Sequence, residues 1–560
     1  MSESKNFIIA VALSLLVIFI WDIYNAKNAP KHTPATEQKE NISEINIKNT
    51  DFKTGNYSVK KNNAPNILFE NSKISGEINL ESFKFISLTL KNYHQESDRK
   101  DLVKFLDYSD QNKSYFVESG WMMKNINGSG NEIIWEVLKG DKLTPNNNIQ
   151  LKWTSLDRNI EIFRTVSLDD NYMFSINDRI VNNASFPIVI NQYALINKVK
   201  DDEKQQFFIL HEGPFGVFNE NLNEISYKKI KKKEKISNRS ADGWAGISDK
   251  YWYTAFIPDR NKAFDYRFIS YERNGKNKYQ VDMQSEDITI PASMSYESNN
   301  LFFAGAKEID LIDKYQEKYD IALFDRGIDF GILYFLTKPI YLLLKIFYNF
   351  FNNFGVAIIA LTIFIRILMY PLASKSFREI TKMKNVQPDI IKLREQYGED
   401  KMRMQREVMK LYQIHQIKPM MGCLPVLVQV FIFFALYKVL FVTIDMRHAP
   451  FFGWITDLTA ADPTSLFNLF GLIPINIDIP FGVWPCLLCI TMILQQKLNP
   501  VPADPLQAKL MKFVPYLFVI LFAGFPAGLV IYWTFNNSFS IAQQYLIMKK
   551  TEKELQKKKS

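Results

Sequence analysis

The chain has 560 residues, 47% of them hydrophobic, and a formal net charge of +9. That average hides a division, because residues 22–329 are rich in Asn, Lys, Ser and Asp whereas residues 330–548 are dominated by Phe, Leu, Ile, Val and Tyr. The asymmetry excludes a single soluble domain, and the confinement of Cys423, Cys486 and Cys489 to the apolar half excludes a disulfide-stapled polar half.

In chain order, Phe7–Trp21 is an apolar run after Lys5, either a signal-peptide core or a membrane anchor. The residues that follow, Trp21-Asp22-Ile23-Tyr24, offer no small-x-small cleavage site, so the sequence predicts an uncleaved anchor over 1–24. A linker rich in Pro, Thr and Asn opens the next segment, 25–328. There Ile160–Val166, Tyr172–Ile176 and Pro187–Asn191 read as strands, and Asn-rich turns such as Lys124–Gly128 separate such runs, which suggests a large β-sandwich. Lys228–Lys235 holds six lysines, which reads as a solvated loop or as a contact for anionic lipid.

Residues 330–372 would make ~64 Å of helix against a lipid core of ~30 Å, so they cannot be one span. Asn352-Asn353-Phe354-Gly355 supplies the break. Before it, Lys345, Asn349, Asn352 and Asn353 share one face of an otherwise apolar helix, an interfacial amphipathic helix over 329–352. A second span follows over 353–373, then spans over 419–444, 480–498, 511–525 and 526–548, six with the anchor. The loop 374–418 carries eleven Lys and Arg, the loop 445–479 carries only Arg447, and the tail 549–560 carries six lysines. Positive charge stays inside, so both termini, 374–418 and the short loop 499–510 are predicted cytoplasmic and the β-domain exported. Within 374–418, Val386, Ile390, Leu393 and Tyr397, then Met404, Val408 and Leu411, repeat at helical spacing on either side of Gly398, which predicts a helical hairpin. Its methionines, Met383, Met402, Met404 and Met409, either pack between the arms or present an adaptable apolar surface.

Arg366 stands ten residues into the second span, ~15 Å deep, where an arginine costs ~2.5–3.5 kcal/mol. The only acid in any span is Asp22, so Arg366 either snorkels to the cytoplasmic face or faces a wet concavity. Thr362, Arg366 and Tyr370 share its face. Gln429 lies in the third span, and Trp533, Asn537, Ser540 and Gln544 form a stripe on the sixth beside Tyr532, Asn536 and Gln543. Any one of these is explained as glue between helices, but together with an arginine they favour the concavity. Lys438, near an outer end, is expected to snorkel. The five histidines are scattered and HExxH, GxSxG and P-loop patterns are absent. Cys486-x-x-Cys489 reads as small buried residues. No metal, cofactor or catalytic constellation is implied, nor any DNA partner, and the lack of deep acids weighs against a proton-coupled transporter.

Three runs carry a resemblance: Phe364–Leu372, Gly422–Gln429 with Phe433–Tyr437 after it, and Phe525–Leu529 followed by Tyr532-Trp533. They resemble the spans of the YidC/Oxa/Alb insertase family over about 329–550. The extra first span and exported domain resemble the Gram-negative form of that family. The family pattern often has proline two residues after the glutamine of the third span, where this chain has Phe431.

The resemblance implies a multi-domain membrane protein with a five-span helical core plus anchor, and a β-supersandwich periplasmic domain. It further implies a non-enzymatic insertase and chaperone of the bacterial inner membrane, working alone or with the Sec translocon and docking ribosomes through the basic tail and hairpin. Its clients would be nascent membrane proteins, entering a hydrophilic groove open to cytoplasm and lipid. Arg366, Thr362, Gln429, Tyr532, Trp533 and Asn537 would line the groove, and Pro425, Phe433 and the span 511–525 would form the path along which a client slides into lipid. A secondary transporter or lipid carrier with a periplasmic ligand-binding domain is the second reading.

Overall fold

The computed structural model describes residues 64–96, 100–109, 114–123, 133–200, 210–260, 262–273, 275–331, 333–397, 400–465, 481–500 and 505–557. The predicted anchor, its linker, the Lys124–Gly128 turn, Gly398 and residues 558–560 of the tail lie outside them.

Among the described residues, the β-domain consists of an eleven-stranded and a nine-stranded sheet. The predicted strands are present as Ile160–Leu168, Met173–Asn182 and Ile188–Lys200. Ile160–Leu168 alternates buried and half-buried residues, so Ile160, Ile162, Arg164, Val166 and Leu168 all point into the core. The two sheets meet face to face. Phe69 and Phe85 of the larger sheet reach Phe174 at centroid distances of 5.2 and 5.0 Å, and Phe85 reaches Phe302 of the smaller sheet at 4.7 Å. Arg164 crosses the same interior. It grips Asp178 through Nε (2.7 Å) and Nη2 (2.8 Å), donates from Nη1 to the Ser119 carbonyl (3.0 Å), and lies over Phe83 and Trp135.

The lysine-rich stretch is a helix rather than a loop, α1 (Tyr227–Lys233). Ser226 caps it, accepting from the Lys229 amide, and Ile230 is fully buried, which anchors the turn to the domain while its lysines stay out. The domain closes with α2 (Ile309–Lys318).

The helical region begins with α3 (Tyr334–Phe351). Thr337, Ile340, Tyr341 and Leu344 are buried against the protein, while Phe335, Leu342, Ile346 and Phe350 are exposed on the other side. That is an apolar face with no protein partner among the described residues. Asn352, in the left-handed region at φ +52°, ends α3, and Asn353 caps α4 (Phe354–Leu368) by accepting from the Val356 amide at 3.0 Å.

After α4 the chain turns by 68° into α5 (Tyr370–Asn385), so the predicted span 353–373 is divided at Met369. Pro371 lacks an N–H and its ring crowds the carbonyl four residues back, which breaks the ladder there. Then come α6 (Gln387–Tyr397) and α7 (Lys401–Ile414), packed on each other. Val386, Ile390 and Ile417 join Met383, Val408 and Leu411 in one small core, whereas Met402 and Met409 remain exposed.

The remaining helices are α8 (Pro419–Val442), α9 (Val483–Leu498), α10 (Pro505–Phe522) and α11 (Ala527–Lys557). Among the described residues, Leu424–Val442 is by length and composition apolar enough to cross a membrane. The bent pair α4–α5 passes the same test taken as one span, and α9 is apolar but shorter. Exposed apolar side chains recur on α4, α8, α9 and α10, including Ile367, Phe431, Ile490 and Leu517. A water-soluble surface rarely carries so many.

Candidate functional site

Arg366 lies in the last turn of α4 and faces α11. Its Nε donates to Asn536 Oδ1 at 2.9 Å and its Nη2 to the Asn536 carbonyl at 3.1 Å. The guanidinium is half-buried, and among the described residues no carboxylate lies within ion-pair distance of it. One turn before Asn536, Tyr532 is buried and its hydroxyl accepts from Gln429 Nε2 of α8. A single face of α11 therefore meets both α4 and α8.

Beside it, Trp533 packs edge-on to Phe433 of α8 at 4.7 Å and touches Phe522 of α10 at 5.2 Å. The predicted groove residue Trp533 and the predicted slide residue Phe433 thus belong to one aromatic cluster joining α8, α10 and α11. Pro425 sits half-exposed within α8, next to the exposed Val426 and Leu427.

Two predicted groove residues stand elsewhere. Thr362 is 1% exposed and its hydroxyl donates to the Ile358 carbonyl of its own helix at 2.7 Å, so it offers nothing to a wet surface. Asn537 is buried and turned toward α9, where its Nδ2 donates to Thr491 Oγ1 at 3.4 Å. It is the first rung of a polar ladder, followed by Gln495 Nε2 donating to Ser540 Oγ (3.3 Å) and Gln544 Nε2 to Asn499 Oδ1 (2.9 Å). Residues 491, 495 and 499 are spaced by four, so one face of α9 is stitched to α11. Asn537, Ser540 and Gln544 of the stripe face α9, whereas Tyr532 and Asn536 beside it face α8 and α4, so α11 presents two polar faces with different tasks. Asn536, the residue that holds Arg366, was legible only as a neighbour of that stripe. Its signal was the i, i+4 relation to Tyr532.

Lys438 finds an acidic partner at the outer end of α8. Its ammonium is 2.9 Å from Asp329 Oδ2, at the junction of the β-domain and α3. Cys486 and Cys489 are free thiols on α9, and no cluster of metal-binding side chains occurs among the described residues.

The family model described as 60Kd inner membrane protein matches residues 346–554, and the YidC periplasmic domain model matches 66–343. The chain is 40% identical over 553 residues to the membrane protein insertase YidC of Rickettsia bellii, covering 97% of this chain and 98% of that one. It is 41% identical over 555 residues to the same-named protein of Rickettsia conorii, covering 97% and 99%. Among solved structures, an active YidC insertase with its first transmembrane domain resolved matches at 16% identity and a TM-score of 0.35, covering 86% of this chain and 94% of that one. With both halves matched in order and the full length shared with these relatives, this chain belongs to the YidC family of membrane protein insertases.

Proposed function

We propose that this inner-membrane insertase receives the hydrophilic end of a client at the Arg366–Gln429–Trp533 surface and releases the client's apolar segment along α8 and α10. The activity itself, insertion of membrane proteins, is that of the family, which is not an enzyme family, and nascent membrane proteins are the clients. The observation that carries the finer reading is Arg366: a cation within an apolar helix, anchored by an amide instead of neutralised by an acid.

The energetics ask for a device of this kind. Each good apolar residue of a client gains ~0.3–0.6 kcal/mol at the bilayer centre, while each translocated acid opposes insertion by ~2.5–3.5 kcal/mol. Some twenty apolar residues supply ~6–12 kcal/mol, so the endpoint is favourable and the obstacle is the barrier. A half-wet cation lowers it by holding the acidic end partway across. The membrane potential then favours outward movement of negative charge by ~2.3 kcal/mol per charge per 100 mV, with no nucleotide.

In this reading six spans cross the membrane, with α4 and α8–α11 forming the five-span core. The β-domain and residues 445–479 are periplasmic, and the α6–α7 hairpin, 499–510 and the basic tail are cytoplasmic. Gln429 and Trp533 flank the client, Tyr532 holds Gln429, and Pro425, Phe433 and the exposed face of α10 are the path into lipid. Thr362 and Asn537 shape the walls from behind. The tail and hairpin dock ribosomes, and the protein cooperates with the Sec translocon. The transporter or lipid-carrier reading is not favoured, since the relatives are insertases.

Photocrosslinking probes at Gln429 and Trp533, with a stalled nascent client, test the site. Crosslinks at both are expected, with probes at exposed Phe335 of α3 as the control. Labelling at Phe335 with none at Gln429 and Trp533 refutes it.

A further inference from the structure

Arg366 owes its orientation to one residue. Asn536 lies 170 positions downstream on another helix and supplies both acceptors, its side-chain oxygen and its backbone carbonyl. It is itself 5% exposed, so its rotamer is set by packing. A guanidinium has five N–H donors in a planar fork. Asn536 engages Nε and one hydrogen of Nη2. The other three, both on Nη1 and one on Nη2, have no partner among the described residues. They form the edge of the fork that matches a carboxylate bidentately.

The chemistry of the anchor matters as much as its position. A carboxylate at 536 would hold the arginine equally well, but it would cancel its charge. An aliphatic residue would leave charge intact and orientation loose. An amide keeps the full positive charge and fixes its direction. We propose that Asn536 is a positioning residue that aims an unneutralised Arg366 and thereby sets the preference of this insertase for clients whose translocated end is acidic. The inference rests on the reading of Arg366 as the client-facing group.

The test uses the full chain in liposomes and two single-span clients that differ only in two translocated residues, Asp in one and Asn in the other. The readout is the ratio of acidic to neutral client inserted, which cancels changes in the amount of folded insertase. Arg366→Ala is expected to remove the preference. Asn536→Ala should lower the ratio about threefold or more, and Asn536→Asp, though isosteric, should lower it at least as far by pairing with Arg366. Asn536→Gln, which keeps an amide, should retain part of it, and Asn536→Ala combined with Arg366→Ala should match Arg366→Ala alone. A wild-type ratio in Asn536→Asp, or equal loss of both clients in Asn536→Ala, overturns the role of Asn536 provided Arg366→Ala has lost the preference. A wild-type ratio in Arg366→Ala instead overturns the client-facing reading on which it stands.

Discussion

Asp329 and Lys438, 109 positions apart, form an ion pair of 2.9 Å that fastens the β-domain to α8. Asp329 Oδ2 also accepts the His211 amide at 2.9 Å, and its Oδ1 accepts that of Gly331. Gly331 is left-handed (φ +70°), and a Cβ there would come within 3.1 Å of the Lys438 stem, so both the turn and the approach call for glycine. Around this pair Arg447 donates to the Gln95 carbonyl at 2.8 Å and lies over Trp252, while Lys250 lies over Phe441. Burial pushes the Asp329 pKa up, but the Lys438 ammonium and the His211 amide outweigh it and hold the group below the usual carboxylate range.

Removing one partner of this junction leaves the other stranded. Lys438→Met should destabilise the junction by at most ~3–5 kcal/mol, the range for a fully buried pair, because a half-buried carboxylate then lacks its cation. Asp329→Asn added to Lys438→Met should recover part of the loss. Tryptophan-monitored unfolding in detergent reads both, and a double variant no better than the single would assign the cost to packing.

The buried pair Arg164–Asp178 obeys the same asymmetry inside the sandwich. Asp178→Ala should cost ~3–5 kcal/mol, since Arg164 would keep only Ser119, through its carbonyl and its hydroxyl, as a hydrogen-bond partner among the described residues. Urea unfolding of the full chain would show a loss of midpoint, while the ratio of acidic to neutral clients at the permissive temperature should not change.

His211 links stability to pH. Burial, opposed by Asp329 and abetted by Lys307, pushes its pKa from 6.5 down to about 4, and its Nε2 is buried with no partner among the described residues. The unfolded chain takes up the proton near pH 6.5, whereas the folded chain refuses it until about 4. Stability is therefore fully present above pH 6.5 and falls as pH drops from 6.5 toward 4, by at most ~3 kcal/mol. His211→Gln should flatten the melting temperature across that window; an unchanged slope would place the acid sensitivity in another group.

The ladder between α9 and α11 is structural glue and predicts the opposite pattern from Asn536. Gln544→Leu should cost ~0.6 kcal/mol, the average for such bonds in a membrane. It should leave the acidic-to-neutral client ratio at the wild-type value, measured in the same liposomes.

Much of this was written locally. Asn352 and Asn353 announced the break between α3 and α4, because one tolerates the left-handed region and the other caps. The alternation in Ile160–Leu168 announced a half-buried strand, although Arg164 breaks the rule that inward positions are apolar. Helical spacing picked out Val386, Ile390, Val408 and Leu411 of the small core between α6 and α7, whereas Leu393, Tyr397 and Met404 stay outside it and Ile417 is added by the returning chain. What was illegible is long-range. Lys438 and Asp329 have no shared local signature. Arg366 has a neutral partner in Asn536, so the distribution of acids along the sequence does not point to it. Spacing placed Asn536 and Asn537 side by side, and only the neighbours of α11 send one to α4 and the other to α9.

α11 runs unbroken over 31 residues, about 46 Å, so it outreaches a ~30 Å hydrocarbon layer by some ten residues. No glycine or proline interrupts it between Gly528 and Lys557. The loop ahead pins its start, with the Ala460 carbonyl accepting from the Ala527 amide and that of Leu458 from Gly528. Asn536 and Lys549 ride the same stiff shaft ~20 Å apart. With no hinge between them, the basic end and the arginine's anchor are parts of one rigid rod, braced along its length by the rungs at Asn537, Ser540 and Gln544.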